Sequence, residues 1–191
     1  MVRADNRQAL LRGARQCIDQ QGYARTTARN VTTAAGVSTA AIGYHFGTID
    51  ALLVTAVLDG MEEWSAQLGD QMASIAELPA SDRLTALYTA AVEAFSGHRG
   101  VLAASFELIA RADANEDVRR RLRESVQHAR EDLARLLFDL DPDVDEERTN
   151  RTGAVCYAIL SGLMVQWLVD PEGLPGPGTV GEDLTTGIQN I

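Results

Sequence analysis

Lysine is absent. All 17 basic residues of this 191-residue chain are arginine, so no lysine amine is available for covalent chemistry. Cysteine is nearly absent: Cys17 and Cys156 stand far apart and show no metal-ligand spacing. They read as two small buried apolar residues in a reducing cytoplasm, and nothing in the pattern favours pairing them as a redox switch. Aromatics are few at 5% while Ala and Leu abound, which favours packed helices over sheet. No period-two alternation supports a strand, and no internal repeat is visible. The opening MVRADNRQALL lacks the apolar run of a signal peptide. No glycine-rich phosphate loop occurs. His98, His128 and the carboxylates show no nucleophile, metal or acid–base spacing, so neither a catalytic residue nor a cofactor is expected.

One stretch lacks charge. Thr152 to Val169 is long enough to be weighed as a membrane span. It contains Thr152, Ser161, Gln166 and two glycines, and no comparable partner segment exists, so it reads as a buried helix and no membrane partner is expected. Ala154, Ala158 and Gly162 recur along it every four residues and leave a shallow groove for close packing, with a symmetry mate as one candidate neighbour.

Apolar residues make up 46% of the chain, enough for a sizeable core. Charge is divided unevenly. Through Leu53, six Arg face three Asp, a net of +3; the remainder carries 11 Arg against 24 acids, a net of −13. Taken whole, at −10, the chain is repelled by nucleic acid, so any contact with it must be local and oriented. A basic first quarter on an acidic body suits a nucleic-acid-binding module attached to a regulatory one.

Thr27 to Phe46, TARNVTTAAGVSTAAIGYHF, carries the sharpest local signal. Thr27 can cap a first helix, Val31, Ala34 and Ala35 fall on one side of it, and Gly36 can end it in the left-handed conformation. Ser38 can cap a second helix, with Val37 and Ile42 spaced as a hydrophobic staple. This is a helix-turn-helix whose second helix suits a DNA major groove. A preceding helix over Asp5–Gln21 has the stripe Leu10, Leu11, Ala14, Cys17 and Ile18, stopped by Gly22. Thr48 caps a long following helix that reaches Met72. Further helices are expected from Ser81 to Phe95, from Val101 to Ala112 after a turn at Gly97–Gly100, from Asn115 to about Leu140, over Thr152–Val169, and over Glu182–Ile191. The arginines on the outer face of the Asn115 helix (Arg119, Arg120, Arg121, Arg123, Arg130) read as a solvated face with ion pairs along the helix. The expectation is an all-α fold of about nine helices.

The segment from Ala9 to Leu53 resembles the TetR family of bacterial transcriptional regulators. The resemblance is carried by Gly22-Tyr23, Thr26-Thr27, AAGVS from Ala34 to Ser38, YHF from Tyr44 to Phe46 and ALL from Ala51 to Leu53. It implies a three-helix DNA-binding domain over residues 1–50 and a helical ligand-binding and dimerisation domain over 51–191. The implied partners are a double-stranded DNA operator, a second copy docked through the Thr152–Val169 helix and C-terminal segment, and a small-molecule effector. Matched positions imply DNA contacts from Thr27, Arg29, Ser38, Thr39, Ala40, Gly43, Tyr44, His45 and Thr48. Gly43 stands where the family commonly has Tyr, and Ile49 where it commonly has Lys. Met61, Trp64, Tyr88, Phe95, Phe106 and Trp167 are candidates to line the effector cavity, although such stripes are more often plain core, since apolar residues at helical spacing need no ligand. A cytoplasmic, ligand-released repressor is the expected function. A helical carrier or enzyme, and a helix-turn-helix used only for protein contacts, are the alternatives.

Overall fold

The computed structural model describes residues 2–75 and 77–176. These residues form seven α-helices: α1 (Val2–Gln21), α2 (Ala28–Ala35), α3 (Ala40–Phe46), α4 (Ile49–Ala73), α5 (Ala80–Arg111), α6 (Glu116–Phe138) and α7 (Glu146–Val169). Short 3-10 turns at Tyr23–Arg25 and Ala112–Ala114 join α1 to α2 and α5 to α6. The all-α class is as expected, with seven helices among the described residues instead of about nine. The helix expected over Glu182–Ile191 lies outside the described residues.

The other difference in helix number has a clear cause. The turn expected at Gly97–Gly100 is not formed, and α5 runs unbroken for 32 residues. Gly100 is there for approach, since a Cβ on it would overlap the backbone and carboxylate of Asp19 on α1. Neither Gly97 nor Gly100 has the positive φ of a helix stop, whereas Gly22, Gly36 and Gly47 do.

The chain falls into two compact units. The first comprises residues 1–63 and 98–122. Its core is the α1 stripe Leu10, Leu11, Ala14, Cys17 and Ile18, packed with Val31, Ile42, Leu52, Val57, Leu108 and Val118. Gly13, in the interior of α1, sits 2.9 Å (measured from an added Cβ) from the Val31 carbonyl, which lets α2 lie close on α1. Tyr23 closes one end of this core at 3% exposure. Its hydroxyl donates to Asp50 (3.4 Å), and the Arg111 guanidinium lies 5.7 Å from its ring centroid. Burial, then the Asp50 carboxylate, push the Tyr23 phenol up to about 12.

The second unit comprises residues 64–97 and 123–191. Trp64, Phe95 and Trp167 form an aromatic chain through it, with ring centroids 6.0 and 5.5 Å apart. Gly153 of α7 is pressed onto the Arg130 carbonyl of α6. α7 begins at Glu146, earlier than its uncharged stretch, because the Asp145 carboxylate caps it by accepting the Arg148 N–H (3.0 Å). Of the α6 arginines expected on a solvated face, Arg120 pairs along the helix with Asp117 (2.5 Å) and Arg119 with Glu116 (3.6 Å), whereas Arg121 and Arg130 are half-buried and Arg121 donates across to the Thr55 hydroxyl of α4 (3.3 Å).

The end of α6 is held by a buried cation. Arg83, 6% exposed, donates through both terminal nitrogens to the Asp139 carboxylate (2.9 and 2.6 Å) and through one of them to the Leu136 carbonyl (3.3 Å). Asp139 takes a positive φ of 55° to reach it. The Arg83 hydrogen bond holds the Asp139 carboxyl below its ordinary value. A depressed folded-state value means that this contribution is complete above the unfolded carboxyl's range and is lost as pH falls through the folded one. Asp139→Asn keeps a residue tolerant of the left-handed conformation and strands the Arg83 charge. It is expected to cost about 1–2 kcal/mol at pH 7, less than a fully buried pair because the Asp139 side chain is solvent-exposed. Urea unfolding at pH 7 and pH 3 checks this: the gap between wild type and variant narrows at the lower pH.

Candidate nucleic-acid interface and effector pocket

The helix-turn-helix is built by local rules. The Thr27 hydroxyl oxygen accepts the Asn30 N–H (3.3 Å) while the Asn30 side-chain oxygen accepts the Thr27 N–H (3.3 Å), a reciprocal cap on α2. Gly36 ends α2 at φ 66°, where a side chain would be strained. Ile42 is buried and Val37 packs against the same core, as the staple spacing predicts. Thr48 caps α4 by accepting the Ala51 N–H (3.0 Å).

Ser38 does not cap α3 as expected. The cap position falls on Thr39, which already has helical angles and makes no side-chain capping bond. The first amides of α3 are taken instead by short backbone bonds, Ala41 N–H to the Ser38 carbonyl and Ile42 N–H to the Thr39 carbonyl (3.0 and 3.1 Å). That leaves both hydroxyls on the surface with no capping task.

Exposure sorts the sequence-derived contact residues. Thr27, Arg29, Ser38, Thr39, Ala40, Gly43, Tyr44 and Thr48 are all exposed, Tyr44 at 68%. His45 is half-buried between Tyr44 (4.8 Å, edge-on) and Phe46 (6.4 Å), and the Arg7 guanidinium lies 5.3 Å from the Phe46 ring. Gly43 has open space where a Cβ would be, so the exposed side of α3 is flat there. Hydroxyls, one guanidinium and one exposed ring on a short helix beside a helix N-terminus suit phosphate oxygens and base edges.

The second unit contains a narrow, half-open pocket. Leu84, Leu87 and Tyr88 of α5, Leu137 of α6, and Cys156, Ile159, Leu160 and Leu163 of α7 line it, and its enclosed space is only about 20 Å³. Of the six cavity candidates, the structure brings Tyr88 alone to this pocket. Trp64, Phe95 and Trp167 form the aromatic chain described above, and Met61 and Phe106 are half-buried in the first unit. The missed lining is aliphatic. It shares the helical spacing of ordinary core, and only its placement against a gap distinguishes it. Burial raises the Cys156 thiol to about 11, and raises the Tyr88 phenol as well. Among the described residues, no three His, Cys, Asp or Glu side chains gather closely enough to hold a metal ion.

Among the described residues, one face of α7 is left uncovered. Gly162 has nothing within 4 Å of an added Cβ, Ala158 is exposed, and Val165 and Val169 are 46% and 81% exposed. Close packing inside the chain therefore falls on Gly153, not on the Ala154–Ala158–Gly162 row. By length and composition α7 could cross a membrane, with a third of its apolar window buried within the chain.

An exposed helix-turn-helix on the basic part of an otherwise acidic helical chain defines a DNA-binding transcriptional regulator. Comparison with known proteins agrees. Residues 10–56 match the family model of bacterial regulatory proteins of the tetR family, and residues 80–187 match that of the C-terminal region of BetI-type transcriptional repressors. The chain belongs to the TetR family of transcriptional regulators. No protein of curated function matches it in sequence. Its fold is shared with solved structures. One, from Streptomyces coelicolor A3(2) and assigned as a transcriptional regulator, has a TM-score of 0.74 at 20% identity, covering 95% of this chain and 96% of that one. A TetR transcription regulator from Haloarcula marismortui gives 0.67 at 18%, covering 97% and 96%. The multidrug binding protein EbrR, complexed with imidazole, gives 0.70 at 23%, covering 95% and 93%.

Proposed function

We propose that this chain is a cytoplasmic, homodimeric repressor that holds a palindromic operator and releases it when a small molecule occupies the second unit. It is not an enzyme in this reading. The observation that carries the proposal is the exposed set Arg29, Thr39, Ala40 and Tyr44 on the basic helix-turn-helix. Phosphate contacts would come from Thr27, Ser38, His45, Thr48 and Arg29, and base contacts from Thr39, Ala40, Tyr44 and Arg29. The match to a repressor model over residues 80–187 supports the direction of regulation. The open face of α7, from Ala154 through Ala158, Gly162 and Val165 to Val169, supports docking of a second copy, with the two recognition helices then set about 34 Å apart.

A gel-shift at low salt against the DNA upstream of its own gene tests this reading, with sedimentation to give the subunit count. A sequence-specific shift by a dimer is expected. A monomer that shifts no neighbouring intergenic fragment would defeat it. Because Gly43 leaves α3 flat, small side chains, methyl contacts and half-site spacing carry much of the selectivity. Gly43→Tyr is expected to change the preferred sequence in selection from a randomised library. An unaltered preference rejects that account of selectivity.

A further inference from the structure

The arginines of the first quarter are not equivalent. Arg15 is spent on an ion pair with Glu63 of α4, and Arg25 on a hydrogen bond from its Nε to the Gln21 carbonyl (2.5 Å). Arg7 has a different setting. It precedes the buried Leu10 and Leu11 by three and four residues, so it extends their stripe outward along α1. There its guanidinium lies over the Phe46 ring, 5.3 Å from the centroid. The side chain is exposed, and among the described residues no carboxylate pairs with it.

Phe46 is the last residue of α3, next to His45 and two before Thr48. α3 contains no arginine, and α4 opens on Ile49, packed against the core, with Asp50 after it. This end of the helix-turn-helix therefore has no fixed cation of its own, although two of the proposed phosphate contacts stand there. Arg7 brings one from α1. Resting a guanidinium on a ring face uses none of its five N–H donors, which stay available for a bidentate bond to an anion. The ring also limits the side chain's freedom beforehand, so less is lost when an anion arrives.

We propose that Arg7, carried by α1 and held over the Phe46 ring, is a further DNA-phosphate contact, one per half-site, beside the end of α3. This rests on the regulator reading above. As a contact to the DNA backbone it adds affinity and no sequence preference.

The test uses the full-length protein and a duplex that the wild type selects from a randomised library. Binding is followed by fluorescence anisotropy over a salt series, with urea unfolding alongside. Arg7→Gln removes the charge, and Arg7→Lys keeps it without the planar fork. Arg12→Gln is the control: it removes an exposed charge five residues on, about 140° further round α1. Arg7→Gln is expected to weaken binding about ten- to thirtyfold and to flatten the dependence of log affinity on log salt by about two per dimer. Arg7→Lys should recover most of that slope and only part of the affinity. Arg12→Gln should stay within about threefold of wild type, with less than about half the slope change. Arg7→Gln should select the same sequence as wild type. A lowered urea midpoint with an unchanged salt slope would give Arg7 a structural role alone and overturns the proposal. So do equal slope changes in Arg7→Gln and Arg12→Gln, which report a general field, and an altered selected sequence in Arg7→Gln, which reports a base contact. If Arg7→Gln binds the selected duplex as wild type does, the Arg7 assignment fails and the regulator reading stands. If the wild type selects no duplex, the regulator reading fails and the Arg7 assignment falls with it.

Discussion

Replacing both Arg29 and Tyr44 by alanine is expected to lower operator affinity by at least about a hundredfold. Each side chain that reaches a base or phosphate is worth about 1–3 kcal/mol, and a homodimer loses each of them twice. Both residues are exposed, so folding should be nearly untouched, within about 0.5 kcal/mol. Fluorescence anisotropy over a salt series measures the loss. Removing one arginine from each half-site should also flatten the dependence of log affinity on log salt by about two. The acidic remainder of the chain sharpens the effect. With a net charge of −10, the protein has no general attraction to DNA to fall back on. An affinity within about threefold of wild type, with the fold intact by circular dichroism, would place the DNA contacts elsewhere and favour a helix-turn-helix used for protein contacts.

Gly153→Leu is expected to cost about 3 kcal/mol, the upper end of what overpacking does. A Cβ at this position meets the carbonyl carbon and oxygen of Arg130, which are main-chain atoms and cannot rotate aside. α7 would have to lift from α6 around Thr149, which is fully buried one turn away. For a chain of this size the melting temperature should fall by about 6–12 °C. Gly162→Ala is the internal contrast. It meets open space, so monomer stability should hold or rise by about 0.5–1 kcal/mol through helix propensity. If the open face of α7 seats a second copy, the same methyl group weakens the dimer, which sedimentation at falling concentration detects. Equal stability losses at Gly153 and Gly162 would show that the α6–α7 contact is not as tight as it stands here.

Much of the DNA-binding module was legible in the chain itself. Its determinants lie within a few residues of one another: the Thr27 cap, the left-handed Gly36, the Val37–Ile42 staple and the Thr48 cap. Local hydrogen bonds and steric limits act over one helical turn, so spacing reports them directly. The α1 stripe was legible too, since five apolar residues on one side of a helix must face a core. The capping of α3 was misread because two adjacent hydroxyl residues offer the same chemistry, and short backbone bonds satisfied the amides first.

The glycines and aromatics show where that legibility ends. Gly97 and Gly100 have the composition of a turn, yet α5 continues through both, and Gly100 instead makes room for Asp19. Gly153 lies outside the conspicuous small-residue row yet presses on the Arg130 carbonyl, while at Gly162, within that row, an added Cβ would meet nothing within 4 Å among the described residues. The large aromatic residues were candidates for either cavity wall or plain core. Trp64, Phe95 and Trp167 fill space, and the gap is lined by leucines that read as core. Sequence by itself determined the all-α class, the apolar stripe of α1, the ends set by Thr27, Gly36 and Thr48, and that positive charge gathers in the first quarter. Tertiary structure alone decided which glycine meets a backbone and where packing leaves a hole. Periodicity specifies the face a helix must bury, but the distance to whatever covers that face depends on residues far away in the chain.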